Sequence, residues 1–188
     1  IVQKKIKTKL NKIILLKQTH SNKFYFINKN SKFINYNFEG DALITNKKKI
    51  PIAILTADCA PILIYDEKEE MIAAIHAGWK GAFKGIIKRT LNFMIKNGCI
   101  TKNITAVIGP CISVKNYEVK KDFIKKLIKK DRKNKKFFKK VNNKDFFNLK
   151  KYVHSQLKAL NIKEIDMINK DTFNPKNNFF SARRSINQ

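Results

Sequence analysis

The chain has 188 residues, 43% of them hydrophobic, and a formal net charge of +27. That length suits one domain that buries roughly 70% of its unfolded surface without disulfide staples, and no apolar run approaches the ~20 residues of a membrane-spanning helix, so no membrane partner is expected. The positive charge is almost all lysine, the arginines being Arg89, Arg132, Arg183 and Arg184; base-reading surfaces favour arginine's bidentate fork, so the charge reads as a solvated lysine surface without a specific nucleic-acid partner.

The first residues, IVQKKIKTKL, lack the apolar core of a secretory signal. Ile1, Ile6 and Leu10 read as the tail of a helix, and a native segment is expected to precede it. IILLK (13–17) predicts a short strand ending in Gln18-Thr19-His20, and KFYFI (23–27) a second strand. NKNSKFINYN reads as a loop or edge hairpin. DALITN (41–46), IAILTA (52–57), ILIYD (62–66) and MIAAIH (71–76) follow as four strands, β-branched and nearly continuous in apolar character, as strands buried on both faces are.

From Lys80 the period becomes helical: Phe83, Ile86, Ile87, Leu91, Met94 and Ile95 share one stripe, and Asn97-Gly98 ends it. ITAVIG (104–109) is another strand. Val119, Phe123, Leu127 and Ile128 mark a second helix with a lysine-rich exit, KKDRKNKK. Phe146, Leu149, Val153, Leu157 and Leu160 mark a third. KEIDMI (163–168) and FFSARR (179–184) read as late strands. The middle strands follow one another too closely for helical crossovers, which favours an α+β fold with mixed sheets.

The three cysteines, Cys59, Cys99 and Cys111, are odd in number and form no Cys-x-x-Cys pair, so a reducing cytoplasm is the expected setting. Cys59 and His76 stand at the ends of adjacent predicted strands and His20 at the end of another. Two imidazoles and a thiolate suit zinc and leave a fourth position open, as catalytic sites do. The spacings of 39 and 17 residues match no zinc-finger pattern, and on spacing alone a buried cysteine with ordinary loop histidines is the better reading. The third histidine, His154, lies on the third helix. After His76 comes Gly-Trp-Lys-Gly: Lys80 and a helix start suit an anion, and Trp79 either stacks on a flat ring or plugs the core.

The sequence resembles the laccase-domain family, also called multicopper polyphenol oxidases and peptidoglycan editing factors. The resemblance runs through QTH (18–20), DALITN, TADCAPILIYD (56–66), IAAIHAGWKG (72–81), IGPCISVKNYEV (108–119) and FFSARRS (179–185). It implies a single-domain α/β/β/α sandwich over 1–188, related to the cytotoxic necrotizing factor-like fold, with native N-terminal and C-terminal segments missing. It implies a zinc-dependent purine nucleoside phosphorylase with adenosine deaminase activity, taking purine nucleosides and phosphate, with His20, Cys59 and His76 as metal ligands. Copper ranks below zinc, since the chain has no His-x-His pair. Cys59, His76 and Asp58 are the expected catalytic residues; Gln18, Asp41, Trp79, Lys80 and Arg183 the expected substrate contacts. Asp58 and Asp41 could equally serve as turn and capping groups, and Cys111 as packing. The rival within enzymes is a cysteine hydrolase with Cys59 as nucleophile and His76 as base. A monomer or weak homodimer is expected.

Overall fold

The computed structural model describes residues 13–28, 31 and 37–186. The predicted first helix lies outside the described residues, as does most of the 29–36 loop.

Strands β1 (Phe24–Ile27), β2 (Ala42–Thr45), β3 (Ala60–Asp66), β4 (Met71–Ala77), β5 (Ile104–Ile108) and β9 (Glu164–Met167) form one sheet in the order β1-β2-β4-β3-β5-β9. The β1–β2 and β5–β9 pairs are parallel and the rest antiparallel, so the fold is α+β with a mixed sheet, as expected. Strands β6 (Glu118–Val119), β7 (Phe138–Val141) and β8 (Lys144–Phe147) make a small antiparallel sheet. Helices α1 (Trp79–Lys84), α2 (Ile86–Lys96), α3 (Lys121–Lys130), α4 (Leu149–Ala159) and α5 (Ala182–Ile186) complete it.

Side-chain alternation assigns the faces of the large sheet. Ile62 and Ile64 of β3, with Ala73 and Ile75 of β4, join Ile86, Ile87, Leu91 and Met94 of α2 in the main core. The opposite face carries Leu63 and Tyr65, both exposed, and places Ile72, Ala74 and His76 on the same side. A one-residue slip of β4 would drive His76 into the helical core.

Several elements differ from expectation. The apolar run IAILTA forms no strand. Ile52 makes one bridge to Ile14, and the backbone N and O of Leu55 are taken by the Gln18 amide instead of a neighbouring strand. IILLK likewise makes only isolated bridges, at Ile14 and Lys17. The helix from residue 79 to 96 is split where Gly85 adopts φ 87°, a left-handed turn that glycine takes without a Cβ penalty. FFSARR is not a strand. Ser181 Oγ accepts from Arg184 N at 3.1 Å, capping α5. The 138–147 hairpin was not expected. Its turn residues Asn142 and Asn143 have φ 47° and 59°, the left-handed pair of a tight hairpin turn. Phe146 therefore belongs to β8, and α4 starts behind Asn148, whose Oδ1 accepts from Lys151 N. Among the described residues no helix is long and apolar enough to cross a membrane.

Candidate metal centre and cleft

Sheet topology gathers the site. Antiparallel pairing puts the start of β3 and the start of β2 beside the end of β4; parallel pairing puts the start of β1 there too. The loops before β1, β2 and β3 and after β4 therefore meet at one end of the sheet. His20, Asp41 and Cys59 stand in the first three of these loops, and His76 at the end of β4.

The ligating atoms of His20, Cys59 and His76 all lie within 4.8 Å of one another. His20 Nε2 is 3.6 Å from Cys59 Sγ, and the two imidazoles meet edge to face with centroids 4.8 Å apart. No other such cluster exists among the described residues, and His154 is not part of it. This donor set fits a tetrahedral zinc site with one position left over. Gly78 is why the three can converge: a Cβ there would sit 2.7 Å from Cys59 Sγ and 2.8 Å from His20 Cδ2.

Asp41 organises the two histidines. The Nδ1 of His76 lies 2.8 Å from Asp41 Oδ1, so Nδ1 carries the proton and Nε2 is free to ligate. The same carboxylate accepts from the backbone N–H groups of Thr19, His20 and Ser21 and from Ser21 Oγ. Three successive N–H groups can aim at one carboxylate because His20 takes φ 54°, a left-handed conformation. Burial alone would raise the Asp41 pKa; the hydrogen bonds from His76 and Ser21 outweigh it and hold the carboxyl at about 2. Burial, then the neighbouring His76, lowers the pKa of His20 and keeps it neutral, the state a ligand needs. Burial, then Asp58, pushes the Cys59 thiol up to about 12 when no cation stands beside it.

The other expected site residues divide. Trp79, Lys80 and Arg183 line a cavity of about 270 Å³ together with His20, Asp58 and Cys59. Trp79 does both jobs considered for it: it packs against the main core and walls the cleft. Asp41 is fully buried, does not line this cavity and has its carboxylate bonded to the His20 loop and to His76. Gln18 holds Leu55 through both ends of its amide. Asp58 has φ 80°. Its carboxylate accepts from Thr172 Oγ1 at 2.7 Å, Ser181 Oγ at 3.0 Å and Arg183 N at 2.7 Å. These bonds clamp the Cys59 turn to α5. Cys111 is fully buried in the apolar core, as packing requires.

Sequence reasoning did not assign Tyr117 or Phe123 to the site. Tyr117 lines the cavity under the Arg183 guanidinium, 5.4 Å from ring centre to Cζ; Phe123 stacks edge-on against Trp79 at 4.7 Å. Two lysines also lie beside this ring: Lys80 and Lys126 are 5.9 and 5.7 Å from the Trp79 ring centre.

Among known proteins, a phosphorylase from Rickettsia prowazekii, purine nucleoside phosphorylase RP494, is 35% identical over 181 residues, covering 94% of this chain and 72% of the relative. The Haemophilus influenzae purine nucleoside phosphorylase is 33% identical over 174 residues, covering 91% and 68%. In structure, the hypothetical protein YfiH of Bacillus licheniformis superimposes with a TM-score of 0.88 at 26% identity, over 98% of this chain and 73% of that one. YlmD from Geobacillus stearothermophilus, at 21% identity and a TM-score of 0.85, shares the fold. The family model described as multi-copper polyphenol oxidoreductase laccase matches residues 1–188, and this chain belongs to that family.

Proposed function

We propose that this protein is a zinc-dependent purine nucleoside phosphorylase that also deaminates adenosine. The observation that carries the reading is the His20–Cys59–His76 cluster at the floor of a cleft walled by Trp79, in a chain whose relatives bear the phosphorylase name. Two imidazoles and a thiolate suit zinc with one position left over, whereas the paired His-x-His ligands of a multicopper oxidase are missing from the sequence; when bound, zinc supplies Lewis acidity at the cleft floor.

The chain's own residues do the rest. Trp79 offers a ring face to the purine. Arg183 and Lys80 stand over the cavity as cations for phosphate. In phosphorolysis a phosphate oxygen bonds to the ribose C1′, the C1′–N9 bond breaks with its electron pair going to N9, and a proton from solvent neutralises the leaving purine. Asp41 holds the His76 tautomer and the His20 loop; Asp58 holds the Cys59 turn against α5. The three free cysteines suit a reducing cytoplasm.

The hydrolase alternative is weaker. The imidazole nitrogen in contact with Cys59 Sγ is Nε2 of His20, not a nitrogen of His76, the base this alternative requires. A thiol held near 12 is the reverse of an activated nucleophile.

The test joins metal analysis of the purified protein to product assays on adenosine with and without phosphate. Stoichiometric zinc, adenine formed only with phosphate and inosine formed without it are expected. A protein that holds zinc yet releases neither product would refute the reading.

A further inference from the structure

We propose that the cleft selects purine nucleosides carrying an anionic 5′ group, a 5′-phosphate above all, through Lys120 and Lys126. This rests on the phosphorylase reading and concerns the outer half of the same cleft.

Two cavities meet at Trp79, Tyr117, Arg183 and Ile186. The inner one, about 270 Å³, reaches His20 and Cys59. The outer one, about 570 Å³, reaches neither and is bordered by Val119, Lys120 and Phe123. A ligand confined to the inner cavity would leave the larger space unfilled.

The chemistry of that outer space is specific. Its walls are aromatic, with Trp79 and Phe123 at 74° to each other. Its rim is cationic. Lys120 and Arg183 line it, and Lys126 and Lys80, which do not, lie 5.7 and 5.9 Å from the centre of the Trp79 ring that does. The one carboxylate lining it, Glu118, is paired with Lys144 at 3.1 Å. Among the described residues, Lys80, Lys120 and Lys126 have no carboxylate at ion-pair distance, Asp122 on α3 included. A neutral 5′-hydroxyl gains little from unpaired ammonium groups. A phosphate, with close to two negative charges at neutral pH, gains directly. Turnover of such a ligand is the same bond exchange at C1′ and yields free purine and ribose 1,5-bisphosphate.

Trp79 is the only tryptophan, so its fluorescence reports cleft binding independently of turnover. Titrations with adenosine, adenosine 5′-monophosphate and inorganic phosphate should show the monophosphate binding about fivefold or more tighter than adenosine at low salt, with the gap closing as salt rises. In the double variant Lys120→Ala, Lys126→Ala the gap should shrink to about twofold or less. Equal affinities in the native protein, or a gap that survives the double variant, would overturn the proposal. So would a double variant that weakens only inorganic phosphate, which would assign the lysines to the co-substrate. If neither nucleoside nor nucleotide releases free base with phosphate, the phosphorylase reading fails, and the fluorescence titration still judges the 5′-phosphate preference.

Discussion

His76 Nδ1 lies 2.8 Å from Asp41 Oδ1, and the same carboxylate gathers the backbone of the His20 loop. One buried acid thus sets the tautomer of one metal-capable histidine and the position of the other.

Asp41→Asn should therefore lower zinc affinity by about 10- to 100-fold, the usual cost of losing a carboxylate behind a ligating histidine. Competition against a chromogenic chelator reads it. Unchanged affinity would remove Asp41 from that role.

Gly78→Ala tests the convergence of the ligands. Gly78 has φ −67°, open to any residue, so the methyl group acts through space alone, against Cys59 Sγ and His20 Cδ2. Zinc affinity should fall by about 10-fold or more, while thermal unfolding of the metal-free protein moves by only a few degrees, about what 1 kcal/mol produces at this size. A variant that binds zinc as the native protein does would show that the cluster tolerates a wider geometry.

Cys59 decides between ligand and nucleophile. With its thiol held near 12, metal-free protein at about pH 8 should alkylate Cys59 far more slowly than an unperturbed thiol of pKa ≈ 8.5 would. Cys59→Ser should reduce zinc content and nucleoside turnover together. Rapid labelling of Cys59 at neutral pH, with turnover indifferent to zinc, would restore the hydrolase.

Asp171 should govern part of the acid limb of stability. Burial alone would raise its pKa, but hydrogen bonds from Ser113 Oγ and N, Phe173 N and Asn116 Nδ2 more than offset that and hold it below the ordinary carboxylate value. A carboxyl lowered in the folded state adds stability above its unfolded pKa and loses it as pH falls through the folded one. Urea midpoints should decline between about pH 5 and pH 3, and Asp171→Asn should flatten that decline. An equally steep slope in the variant would place the acid sensitivity elsewhere.

Much of this was readable from residue order. The strands β3, β4 and β5 announce themselves by β-branched apolar runs, and His20, Cys59 and His76 stand beside strand ends that pairing brings together. What was not readable depended on partners distant in sequence. IAILTA has strand composition, yet Gln18 takes the Leu55 backbone groups that a ladder would need. FFSARR opens on an aromatic pair that suits a strand, but Ser181 caps a short helix, a signal present in the sequence and outweighed there by that pair. Asn142-Asn143 was a legible turn signal for the missed hairpin. Asp58 and Asp41 look alike as isolated acids beside a motif; only the count of donors around each shows that both are structural supports.

The Asp58 clamp also orders events in time. The donors that satisfy its carboxylate come from Thr172, Ser181 and Arg183, between 114 and 125 positions downstream. A growing chain that has been made only as far as β4 already contains all three metal-capable side chains, yet the turn presenting Cys59 has a bare carboxylate and a left-handed backbone with nothing to hold it. Local pairing of β3 with β4 can form early, whereas closure across so long a loop comes late because its entropy must be met before its contacts form. Completion of the cluster is thus tied to the arrival of the 172–183 segment, and a chain made only as far as β4 has the three side chains without the geometry.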